Sequence, residues 1–139
     1  ALPISEYTEL VEALHIIPPV EAISELQCIK PDEWKQLFKY LKYCSGFDEI
    51  VFDIGDNING IMDILRICGK IYMPLRTDCI SRAKVDAFEG ALNKYPDASE
   101  LKEKIQQITF PYFSDLGEGL MKLKYCDLGN YIRQKIAYA

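Results

Sequence analysis

Asp53 closes an apolar run, Ile50-Val51-Phe52, and is followed at once by Ile54, Gly55 and Asp56. A near-continuous apolar run reads as a strand of a buried parallel sheet. A carboxylate at the C-terminal tip of such a strand lies where open α/β sheets bind their ligands. There it can face a magnesium-bound nucleotide. Desolvation puts function ahead of capping for Asp53, because a carboxylate ending so apolar a strand needs a partner or a ligand. Asp56 and Asn57 have the plainer option of capping the helix that follows. Two further segments belong to the same argument. Arg76 and Asp78 follow the strand-like Ile71-Tyr72-Met73, which Pro74 closes, and Pro111-Tyr112-Phe113 follows Ile108-Thr109-Phe110. Parallel strands would bring all three segments to one edge of the sheet. Taken singly, Arg76 and Asp78 read as a solvated loop pair worth little energy, and Tyr112 and Phe113 as a plug for the end of the core.

The other half of a nucleotide site is missing. No Gly-x-x-x-x-Gly-Lys-[Ser/Thr] phosphate loop occurs, and the spacing from Gly55 to Gly60 is followed by Ile61 and Met62. No lysine stands there to hold a β- or γ-phosphate. Without backbone amides and a lysine around the phosphates, binding of Mg-ATP by these residues alone is expected to be negligible.

The elements that must position these residues follow from periodicity and punctuation. Residues 1–13 read as a short helix or a tail. Leu14–Ile17 is a short strand stopped by Pro18-Pro19. Pro31 opens a helix at its first position, with Asp32 and Glu33 favouring the dipole. Trp34, Leu37, Phe38 and Leu41 form its apolar stripe, expected to be buried against residues 50–52, and Ser45-Gly46 ends it. The strand at 49–54 is followed by a helix carrying Ile58, Ile61, Met62, Leu65 and Cys68, with Gly69 at its C′ position, and then by the strand at 71–73. Those three pieces make a right-handed βαβ unit. Further helices are predicted over about 81–95 and 99–106, a strand at 108–110, and a last helix capped by Asp127. The fold class is α/β, a mostly parallel sheet flanked by helices.

With 139 residues, 49% of them hydrophobic and 27% charged, the chain is one ordinary globular domain. Its net charge of −5 and pI near 4.9 argue against a nucleic-acid surface as the main activity. No apolar stretch reaches the roughly 20 residues of a membrane span, and no secretory signal is visible. Five cysteines without a C-x-x-C pair suggest reduced, mostly buried thiols in a cytoplasmic protein, not a disulfide framework or a zinc site. His15, between Leu14 and Ile16, reads as a packed or edge residue and not a catalytic one.

Gly46-Phe47-Asp48-Glu49-Ile50-Val51-Phe52-Asp53-Ile54-Gly55-Asp56, then a helix, then Ile71-Tyr72-Met73-Pro74-Leu75, resembles the second half of MinD/ParA-type ATPases. In that family a "yDyiiiD" strand leads through a turn and a helix to a strand ending near "vvP". Leu14–Pro19 is similar to the family's "l.vlP" strand and Pro111-Tyr112-Phe113 to its late "iPyd" segment. The flavour is that of the TadZ/CpaE pilus-assembly branch. The resemblance implies a P-loop NTPase-like (SIMIBI) domain, of which residues 1–139 form the C-terminal part, without the Walker A strand and loop. It implies that Asp53 holds Mg²⁺ through water, that Gly55 and Asp56 sense the γ-phosphate, and that Pro111 and Tyr112 lie along the adenine; the convergence of strand ends adds Arg76 to the expected nucleotide-binding residues. ATP and Mg²⁺ would then be cofactors of the complete protein, and none is expected for these residues alone. It further implies a homodimer in the cytoplasm, recruited to the membrane or the cell pole by a partner of a positioning or pilus-assembly system. The extra acid in Asp53-Ile54-Gly55-Asp56 departs from the family's turn.

Two other classes compete. One is a non-catalytic interaction or localisation module of degenerate ATPase descent. The other, a receiver-like phosphoacceptor, ranks third, since only Glu21 follows the first strand and no strand ends in lysine. In the family the phosphate-loop strand separates the strands at 49–54 and 71–75. Its loss predicts either that those two strands pair directly or that a second copy fills the gap.

Overall fold

The computed structural model describes residues 4–11, 13–19, 23–55, 58–113 and 120–136. It is a mixed α/β chain with two small sheets, one antiparallel and one parallel. Its contacts gather into two compact units, Ala1–Gly69 and Lys70–Ala139.

In the first unit a 3₁₀ turn, Ile4–Tyr7, leads into a hairpin of β1 (Glu9–Val11) and β2 (Leu14–Ile16). They pair antiparallel, with Leu10 opposite His15 and Val11 opposite Leu14. Residues 1–13 thus supply a strand that their mixed composition did not announce. His15 sits at the edge as expected, its ring 5.1 Å from that of Phe47 and its Nδ1 3.1 Å from the Thr8 hydroxyl. A short helix α1 (Ile23–Cys28), also unannounced, precedes α2 (Pro31–Cys44).

The start of α2 is built as its sequence requires. Pro31 occupies the first turn, where its missing N–H costs nothing, and the Lys30 N–H donates to the Glu33 carboxylate at 2.8 Å. Trp34, Phe38 and Leu41 are buried together with Ile64 of α3 (Ile61–Ile67). Leu37 does not join them and is 39% exposed, because the stripe that faces the core runs through 34, 38 and 41 and leaves position 37 at its rim. The Trp34 indole N–H donates to the Asn59 carbonyl at 3.1 Å. Gly60, at φ +79° before α3, lies under that indole, where a Cβ would come 3.4 Å from Trp34 Cδ1. Only glycine makes this turn without strain.

Residues 49–54 are not part of either sheet. Phe52 and Ile54 pack against the α2 core, whereas Val51, Asp53 and Gly55 are exposed. The composition is continuous but the burial alternates, so this is an extended segment covered on one face and not a strand buried on two. The expected βαβ unit through 49–54 is therefore replaced.

The observed parallel pair lies in the second unit. β3 (Ile71–Leu75) pairs with β4 (Ile105–Thr109), Ile71 opposite Ile105 and Leu75 opposite Thr109. The crossover contains α4 (Cys79–Leu92) and α5 (Ala98–Lys104), and α6 (Leu120–Leu123) and α7 (Asp127–Ile136) follow β4. Phe88 and Leu92 of α4 line a hollow with Met73 and Ile105, so α4 lays its apolar stripe on one face of the pair. Leu92, Leu101 and Ile108 are the buried centre.

Each outer edge of this two-stranded sheet is interrupted at one position or more. The Phe110 N–H donates to the Leu75 carbonyl at 2.7 Å. In a parallel ladder the polar groups of Ile71, Met73 and Leu75 then face β4, and those of Tyr72 and Pro74 face outward. Pro74 sits at an outward position, where no ladder bond is asked of it. On the other side Thr109 faces outward, and its carbonyl accepts the Tyr131 hydroxyl of α7. The Ile105 N–H, also outward, is bonded to Lys102 O. β3 thus pairs with β4 and not with residues 49–54, and the proline is one of the devices that discourage pairing along an outer edge.

Asp127 is the first residue of α7, not its cap. Cys126 takes that role, its carbonyl accepting from the Asn130 N–H at 3.0 Å and its sulfur from the Gly129 N–H at 3.4 Å. None of the five cysteines is in a disulfide, but only Cys126 is buried, while Cys28, Cys44 and Cys79 are exposed. The expectation of mostly buried thiols does not hold, since three of the five lie at helix ends, outside the apolar stripes.

Candidate functional site

Parallel register fixes the geometry of the one edge where chemistry-bearing segments meet. Leu75 and Thr109 stand opposite each other at the C-terminal ends of β3 and β4, so Arg76–Asp78 and Phe110–Tyr112 leave the sheet side by side. A shallow hollow of about 400 Å³ opens there, lined among others by Arg76, Thr77, Ser81, Arg82, Gln107 and Thr109. Asp86 and Glu89 of α4 reach the same hollow, so its charge is mixed. Glu89 accepts a hydrogen bond from the Gln107 side-chain amide at 3.2 Å. Glu89 and Gln107 also line the hollow of about 340 Å³ beside Phe88 and Leu92.

Asp78 decides what this edge can take. Its Oδ1 accepts the Ser81 N–H at 2.7 Å, and the Ser81 hydroxyl donates to Oδ2 at 3.2 Å. It is the N-cap of α4. The backbone bond from Ser81 is the main reason its carboxyl is held below the ordinary carboxylate range. A permanent negative charge thus sits on the helix N-terminus that follows the strand, the place where α/β nucleotide sites put a phosphate.

Of the residues singled out from sequence, Arg76, Pro111 and Tyr112 are brought to this edge. Tyr112 is 95% exposed, and Pro111 is exposed as well. Phe113 turns back, its ring 5.5 Å from that of Tyr131, which also meets Phe110 at 5.6 Å. Asp53 and Gly55 belong to the first unit and are exposed, and Asp56 and Asn57 lie outside the described residues. An exposed Asp53 keeps its hydration, so burial does not force a partner on it. Among the described residues no group of three or more His, Cys, Asp or Glu side chains is placed to hold a metal ion. Ser81, Arg82, Glu89 and Gln107 escaped the sequence reading. The spacing from Asp78 to Ser81 was the available signal, since an N-cap carboxylate bonds the N–H three residues on. Nothing local announces Gln107 opposite Glu89.

No family description, curated protein or solved structure matches this chain.

Proposed function

We propose that this chain acts as a non-catalytic protein-interaction module of α/β build. The observation that carries the reading is the hairpin β1–β2 and its flanks, where Tyr7, Leu10, Leu14 and Ile17 are each more than half exposed. Scattered exposed apolar residues need no explanation, but a two-stranded element with large exposed apolar side chains on both faces lacks cover of its own, which another molecule can supply. The C-terminal edge of β3 and β4 supports the same reading, because Asp78 already holds the α4 N-terminus with its own charge. Calorimetry with Mg-ATP tests it: no binding heat is expected, and micromolar binding that disappears in Asp53→Ala would overturn it.

One observation favours a second reading, the C-terminal portion of a ParA/MinD/TadZ-like ATPase. Arg76 and Pro111-Tyr112 do leave the sheet from one edge. In that reading the phosphate loop, ATP and Mg²⁺ come with an upstream half, Asp53 assists the metal, and the complete protein works as a cytoplasmic dimer recruited to a pole or membrane. The check is the parent gene. A reading frame carrying a glycine-rich, two-lysine phosphate loop upstream of Ala1 would establish it.

A further inference from the structure

The segment that contains this hairpin also carries the net charge of the whole chain. Residues 1–29 contain five acids (Glu6, Glu9, Glu12, Glu21, Glu25) and no lysine or arginine, whereas residues 30–139 contain sixteen acids and sixteen bases. The net charge of −5 therefore belongs to residues 1–29. In an antiparallel pair, opposed residues share a face and alternate ones change it. With Glu9 opposite Ile16 and Val11 opposite Leu14, one face of the hairpin presents Glu9, Val11, Leu14 and Ile16. The other presents Leu10 and His15, and His15 is already engaged by the Phe47 ring.

We infer that the Glu9/Val11/Leu14/Ile16 face docks a basic amphipathic segment of another protein, its apolar side chains on Leu14 and a lysine or arginine on Glu9. This rests on the interaction-module reading and names its partner class. Charge selects the occupant. A second copy would set the same acidic surface against itself in a two-fold contact, and residues 30–139 offer no net positive charge to answer it. An anionic lipid surface is repelled for the same reason. A basic partner gains apolar burial from Leu14 and steering from the acids.

The test uses the full chain and two labelled peptides of one design, alternating leucine with lysine or leucine with glutamate. Fluorescence anisotropy should show binding of the lysine peptide, weakened by salt, and none of the glutamate peptide. Leu14→Ser should weaken that binding by at least about tenfold, and Glu9→Gln should weaken it and flatten its salt dependence. Glu103→Gln, the same charge change on α5, should leave it unaltered. Because Leu14 and Glu9 are exposed, both variants should keep the far-ultraviolet dichroism of the parent, and Glu9→Gln carries the test if Leu14→Ser does not. No binding of the lysine peptide, or binding indifferent to both variants, overturns the docking face. Indifferent binding still leaves an interaction module with its surface elsewhere. Micromolar Mg-ATP binding instead removes the module reading itself.

Discussion

Phe38 and Phe52 meet edge to face, with ring centroids 4.7 Å apart and planes at 80°. Phe38 also stacks on Trp34, 5.8 Å away at 15°, so one side chain ties α2 to the extended segment before Asp53. Truncation to alanine removes both ring contacts and leaves a cavity. Phe38→Ala should cost roughly 3–5 kcal/mol. Urea titration checks this, and a change under about 1 kcal/mol would mean that this stripe is not core.

Asp78 gives a pH-dependent prediction. Its folded pKa lies below the ordinary value of 3.8, so the cap's contribution is fully present above that value and is lost as pH falls through the folded value. Asp78→Ala should melt below the parent at neutral pH, and the gap should close in acid. Asp78→Asn should keep most of the stability, since asparagine caps nearly as well. Because Asp78 is fully exposed, salt should shrink the electrostatic part of the difference. Thermal melts across the acid range at two salt concentrations decide the matter.

Gly129 is buried in α7, where alanine would ordinarily gain up to about 1 kcal/mol of helix propensity. Here a Cβ would come 1.8 Å from the Leu123 carbonyl oxygen, a backbone atom that cannot swing away. Gly129→Ala should therefore destabilise the second unit by about 1–3 kcal/mol. An unchanged or raised melting temperature would refute the close approach.

The interruptions on the edges of the parallel pair can be removed one at a time. Pro74→Val adds an outward N–H to β3, and light scattering should then show self-association that grows with concentration. Tyr131→Phe removes the hydroxyl from the Thr109 carbonyl and should cost about 0.5–1.5 kcal/mol. A Pro74→Val protein that stays monomeric at high concentration would show that the proline is not guarding the edge.

The sequence by itself determined what is local. Proline at the head of α2 and the stripe through Trp34, Phe38 and Leu41 specify a helix and its buried face, and Phe52 is the neighbour that stripe expects. The strand at Ile71–Leu75 is legible as a β-prone segment closed near a proline, and with the helices around it makes the α/β class readable, whereas β4 takes in Ile105 and Gln106, where periodicity predicts the end of a helix, and stops at Thr109. Which strand pairs with which was decided only by the tertiary structure. A short apolar run such as 50–54 reads alike whether it is buried on both faces in a sheet or on one face against a helix. Its hydrogen-bond partners lie far away in sequence and leave no periodic trace. The same limit governs the site. Arg76 and Tyr112 share an edge because β3 and β4 pair in parallel register. Asp53, for all its strand-like setting, is exposed, because only packing fixes which side of an extended segment meets water.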